Sequence, residues 1–166
     1  MTDEHLRRCV ELAAEALAAG DFPFGSVLVG ADGKVLAEDR NRENTDADPT
    51  AHPELRLAQW AIANVPAEER GGCTVYTSGE HCPMCAAAHG WAGLGPIVCA
   101  ASSAQLAGWR TGWGLPSSPV AVLPVTDVVP GLPVTGPVPP FDDEMRALHE
   151  QAAGMFYSTG PRSTKL

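Results

Sequence analysis

The stretch Cys73-Thr74-Val75-Tyr76-Thr77-Ser78-Gly79-Glu80-His81-Cys82-Pro83-Met84-Cys85 decides the fold. Residues 73–77 are a β-branched and aromatic run, which reads as a strand. Pro83 then opens a helix over residues 83–92, because proline is favoured at the first helical position, and Cys82 falls at its N-cap. Another apolar run, residues 97–101, supplies the next strand. Strand, helix and strand within thirty residues set the rhythm of an α/β domain.

The same signature occurs upstream. His52-Pro53 opens a second helical stretch, to about residue 64, with Leu55, Ala58 and Ile62 on one face. Residues 24–29 and 35–37 are short apolar runs either side of Ala31-Asp32-Gly33-Lys34, whose Asp-Gly pair marks a hairpin turn. Between hairpin and helix, residues 39–50 are too rich in Asn and Asp to be regular. Residues 3–19 place Leu6, Cys9, Val10, Ala13, Ala16 and Leu17 at helical spacing, with Gly20 as a stop. The order of elements implies a mixed sheet with helices packed against it. Past Trp113 the pattern thins, since eight of the fifteen prolines lie between Pro116 and Pro140. Residues 120–123 can form an edge strand there, but not a central one. A last helix is expected over about 142–153.

A chain of 166 residues is one domain in length, expected to hold a core over about 3–115 and a Pro-rich extension with its helix over 116–166. No run approaches the roughly 18 apolar residues of a membrane span, and the N-terminus lacks the basic flank and apolar core of a signal peptide. A cytoplasmic setting is therefore expected, in keeping with five cysteines, an odd number. The net charge is −9, and the only lysines are Lys34 and Lys165. Such a surface repels phosphate backbones, so nucleic acid is not an expected partner.

The chemistry lies where the two Pro-capped helices begin. Cys82 and Cys85 are three apart, on one helical face, at an end whose dipole favours a thiolate. With His52 they make three zinc ligands, and a site with three protein ligands keeps its fourth position for water, whose pKa zinc lowers to about 7. Glu54, two residues past His52, can reach that water as a general acid and base. A lone Cys-x-x-Cys suits a redox pair or a structural zinc equally well. His-x-Glu followed by it, with 27 residues between, is far more specific.

Asn41, then Asp48-Pro49-Thr50-Ala51-His52-Pro53-Glu54, then Tyr76 to Cys85 together resemble the zinc-dependent cytidine and deoxycytidylate deaminase superfamily, whose signature is His-x-Glu with a later Pro-Cys-x-x-Cys. Phe22-Pro23-Phe24-Gly25 is similar to the first strand of its guanine deaminase and transfer-RNA adenosine deaminase branch. The resemblance covers roughly residues 22–101. It implies a three-layer cytidine deaminase-like fold, a five-stranded mixed sheet with helices on both faces, usually as a homodimer. It implies one zinc per subunit on His52, Cys82 and Cys85, with Glu54 moving protons. Asn41 matches the position that bonds the base, Phe24 a pocket wall, and Ala51 lies inside the motif.

The sequence also departs from that pattern. His81 stands where the branch has proline and is a candidate substrate contact. Guanine deaminases resembling this chain carry an acid in the stretch equivalent to 102–114. Here Arg110 is the only charged residue, flanked by Trp109 and Trp113, with Trp109 a candidate pocket wall. That points to a small amino-substituted nitrogen heterocycle, such as guanine, isoguanine, a cytosine analogue or an aminotriazine, with ammonia as product. Transfer-RNA adenosine deamination is the alternative within the superfamily. The acidic balance opposes it, as does a last helix carrying Asp142-Asp143-Glu144 and the single Arg146. Cys9, Cys73 and Cys99 are expected in the core, His5 and His149 on the surface, His89 without a role, and Phe156 and Tyr157 over the site as a lid.

Overall fold

A computed structural model describes residues 2–157. Its helices are α1 (Thr2–Ala18), α2 (Pro53–Asn64), α3 (Ala67–Arg70), α4 (Pro83–Ala92), α5 (Ser103–Gly112), α6 (Val125–Val128) and α7 (Phe141–Tyr157). Its strands are β1 (Gly25–Val29), β2 (Val35–Arg40), β3 (Thr74–Gly79), β4 (Ile97–Ala101) and β5 (Val134–Thr135). The sheet runs β2-β1-β3-β4-β5. β1 is antiparallel to β2 and β3, while β3, β4 and β5 are parallel, so the sheet is mixed as the sequence implied.

β1 is buried along its whole length, and its side chains alternate between two helical layers. Val27 and Val29 pack with Cys9 and Leu12 of α1. Leu28 points to the opposite face and packs with Leu57 and Ala61 of α2. β4 repeats the arrangement: Val98 and Ala100 meet Leu6, Phe141 and Met145 of α1 and α7, while Ile97 meets Ala86 of α4. Three layers result, with α1 and α7 on one face and α2 and α4 on the other. Cys9, Cys73 and Cys99 are buried as expected.

Gly25 is required where α1 crosses β1. A Cβ there would stand 2.4 Å from Leu12 Cβ and 2.7 Å from the Cys9 carbonyl oxygen. The loop after β2 is shaped by Asp21, whose side chain is wholly buried and accepts the N–H groups of Asn44 (2.9 Å) and Thr45 (2.8 Å). Arg40 completes the clamp at 3.0 Å. Burial disfavours the Asp21 charge, but these partners outweigh it and hold its carboxyl below the ordinary range.

Two expectations need correction. Residues 120–123 are not a strand; the fifth strand is β5, further along the Pro-rich stretch. Pro119 and Pro124 bracket the run, and the Val120 N–H turns back to Ser118 Oγ (3.1 Å) instead of to a neighbouring strand. His149 is not on the surface. It falls on the stripe Phe141, Met145, His149, Ala152 that α7 buries, and stands edge-on to Phe24 with ring centroids 4.9 Å apart. His5 is half-buried, its ring 4.8 Å from that of Tyr76. Among the described residues no helix is long and apolar enough to cross a membrane.

Candidate active site and metal centre

β3 and β4 are parallel, and ligands in open α/β sheets bind beyond the carboxyl ends of such strands. Beyond β3 the chain turns through Glu80 and His81 into α4, with Cys82 at the N-cap and Pro83 next. His52 is the N-cap of α2, again followed by proline. The two helix starts converge. His52 Nδ1 lies 3.6 Å from Cys82 Sγ and 3.5 Å from Cys85 Sγ, and all three donor atoms fall within 4.8 Å of one another. Tetrahedral zinc with Zn–S near 2.3 Å and Zn–N near 2.0–2.1 Å separates nitrogen from sulfur by about 3.6 Å. The donor set therefore fits that ion in type and in spacing.

The electrostatics agree. Cys85 donates to Cys82, which holds the Cys82 thiol down at about 4 and pushes that of Cys85 up. Burial lowers the pKa of His52, yet the Cys82 sulfur and the Glu43 carboxylate more than offset it and carry it to about 10. Glu43 Oε1 sits 3.1 Å from His52 Nε2, which leaves Nδ1 facing the sulfurs. Carboxylate–histidine pairing of this kind orients metal ligands generally.

Glu54, on the first turn of α2, is 6% exposed. Its Oε1 lies 3.1 Å from both Ser26 Oγ and Thr77 Oγ1. These two residues are paired across β1 and β3, and their hydroxyls are 2.9 Å apart. Burial pushes the Glu54 carboxyl above its ordinary range, against the pull of His52.

A cavity of about 140 Å³ opens on this group. Engineered apolar cavities of about 150 Å³ hold a benzene ring, so the space suits a small heterocycle. His52, Glu54, Cys82 and Phe24 all line it. Three further contributors were not foreseen. α5 presents Leu106, Ala107 and Arg110; the irregular stretch from Ser118 to Leu123 forms another part of the wall; and Glu80 ties the two segments together through the Ser103 and Val125 N–H groups. The start of α5 was signalled by Ser102 and Gln105, which form a reciprocal capping box.

Four of the substrate-side candidates are not on the cavity lining. Trp109 turns from it to pack against the cluster of α1 and α7, because Leu106, Ala107 and Arg110 occupy the cavity face of α5. His81 is buried against His89 with their rings edge-to-face at 5.2 Å, and His89 Nε2 meets the Gly95 carbonyl oxygen at 2.8 Å. Asn41 is 1% exposed; its Nδ2 donates to Glu43 Oε1 (2.8 Å) and its Oδ1 accepts the Glu43 N–H (3.0 Å). Ala51 is buried in the turn before His52. Phe156 stacks near Phe22 and Tyr157 lies against Arg110, both on α7; the rest of the tail falls outside the described residues.

The model of the cytidine and deoxycytidylate deaminase zinc-binding region matches residues 1–101. A guanine deaminase of Bacillus subtilis (strain 168) is 44% identical over 88 residues, covering 52% of this chain and 56% of that protein. A tRNA-specific adenosine deaminase of Haemophilus influenzae is 34% identical over 86 residues, covering 52% of this chain and 50% of that one. This chain thus spans about half the length of these curated relatives. A solved structure of guanine deaminase from Nitrosomonas europaea superposes with a TM-score of 0.67 at 26% identity, covering 89% of this chain and 82% of that one. The zinc-type donors, the fold beneath them and the matched region agree: the chain belongs to the cytidine and deoxycytidylate deaminase family.

Proposed function

We propose that the protein is a hydrolytic deaminase of a small amino-substituted nitrogen heterocycle, a free nucleobase or an analogue of one. The observation that carries this reading is the buried Glu54 carboxylate beside a zinc-type donor set, on a cavity the size of a small ring. Zinc, when bound by His52, Cys82 and Cys85, acidifies a water at its open position to a pKa of about 7. Ser26 and Thr77 hold one oxygen of Glu54 in place. The carboxylate takes a proton from the attacking water, gives it to a ring nitrogen, and then moves a proton to the departing amine. Water adds to the ring carbon, the carbon–nitrogen bond breaks, and ammonia leaves with an oxo group in its place. Phe24 supplies an apolar wall for the ring. Asn41, bonded to Glu43 through both ends of its amide, steadies the partner of His52.

The surplus of negative charge and the size of the cavity favour a free small molecule over a polyanionic substrate. A cytoplasmic homodimer remains the expected state. The test is ammonia release by zinc-loaded protein from guanine, isoguanine, adenine, cytosine, azacytosine, aminotriazines and nucleosides, alongside a transfer RNA. Glu54→Gln is expected to lower kcat by about 10²- to 10⁴-fold while zinc content is kept. Turnover that survives this substitution, or absence of turnover on every small heterocycle, removes the reading.

A further inference from the structure

Three charged side chains line the cavity beside the metal ligand His52, and they are held differently. Glu80 spends both carboxylate oxygens on the backbone, accepting the N–H of Ser103 (2.9 Å) and of Val125 (2.9 Å). Glu54 rests on Ser26 and Thr77. Arg110 has no carboxylate within ion-pair distance among the described residues. One Nη donates to the Pro116 carbonyl oxygen (2.9 Å), and the guanidinium carbon stands 5.5 Å from the centre of the Tyr157 ring. These contacts fix the group without neutralising it.

Among the described residues Arg7, Arg8, Arg40, Arg42 and Arg56 each pair with an acid, in a chain that carries nine surplus negative charges. Arg70, Arg110 and Arg146 do not, and of these three only Arg110 lines the cavity. The arginine on the cavity is left for something else. A guanidinium is a planar fork of five donors with no acceptor, matched to electron-rich oxygen and unable to accept from an amino group. Hydrogen bonds to an ionised or strongly polarised oxygen are also the strong ones.

We propose that Arg110 reads the substrate through an exocyclic oxygen: the heterocycle carries, besides the amino group that leaves, an oxo or ionised oxygen that the guanidinium binds. This rests on the deaminase reading of the same site and narrows it. Heterocycles bearing only amino groups and ring nitrogens offer the guanidinium a ring-nitrogen acceptor alone, without the more strongly polarised oxygen.

The test compares kcat/KM on matched pairs, guanine with 2-aminopurine and ammeline with melamine, for zinc-loaded full-length wild type, Arg110→Gln and Arg110→Lys. The preference for the oxygen-bearing member is expected to fall about 10- to 100-fold in Arg110→Gln, the range for a hydrogen bond to a charged group. Arg110→Lys, which keeps the charge, should recover part of it. A preference that stays within about threefold of wild type in Arg110→Gln overturns the proposal. Equilibrium dialysis with xanthine and with purine separates this proposal from the reading beneath it. Arg110-dependent preference for xanthine in a protein that deaminates nothing upholds the oxygen contact and refutes the deaminase. Binding of xanthine and purine that is equally strong, or equally absent, with and without Arg110 refutes the contact.

Discussion

At the scale of single residues, Glu43 is the support of the candidate metal ligand His52. Its Oε1 meets both His52 Nε2 and the Asn41 amide nitrogen, so Asn41 and Glu43 together support the imidazole. Glu43→Ala is expected to weaken zinc binding by about 10- to 100-fold, as loss of such partners does elsewhere, and competition against a chelator measures it. The metal ligands and Glu54 were legible because their spacing is local: a ligand before proline, a carboxylate two residues on, a second sulfur one turn along. Glu43, Ser26 and Thr77 were not. Their roles exist only once β1 and β3 pair in a register that sets Ser26 opposite Thr77, and once the loop after β2 folds back on Asp21. His81 was misleading for the opposite reason, since its position beside Cys82 places it near the metal while its ring is buried against His89.

At the scale of elements, α1 seats on β1 only because residue 25 has no side chain. Gly25→Ala drives a methyl into Leu12 and the Cys9 carbonyl, and is expected to cost about 1–3 kcal/mol of stability, read as a lower urea midpoint at unchanged slope. Elements with strong punctuation were found in the sequence to within a residue: α2 and α4 by their prolines, β4 by its unbroken apolar run. α5 was missed because Gly108 and Gly112 dilute its pattern and none of its residues is buried, although its capping box was written in Ser102 and Gln105. β5 was missed because a two-residue strand has no periodicity to detect; it is specified by its partner β4. His149 was misplaced for want of reading α7 in fours, which sets it in line with Phe141 and Met145.

At the scale of the whole molecule, burial of uncharged histidine makes the fold sensitive to acid. Burial and the neighbouring Arg110 charge lower the His149 pKa to about 3, whereas in the unfolded chain it titrates near its ordinary value of about 6.5. Between these values the unfolded chain takes up a proton that the folded chain refuses, so stability is full above about pH 6.5 and falls as the pH drops. The loss is up to about 1.4 kcal/mol per pH unit. His149→Leu is expected to flatten the dependence of unfolding free energy on pH between 7 and 5, read from urea titrations, by an average of about 0.7 proton relative to wild type. The zinc-type donors and Glu54 sit on the first turns of α2 and α4, bound into the layered core, whereas residues 118–123 belong to no helix or sheet and yet contribute to the cavity wall. Replacements in that hexapeptide disturb no backbone ladder. The cavity wall is thus of two kinds, one part fixed by the layered core and the other a stretch whose side chains can be exchanged without unsettling that core.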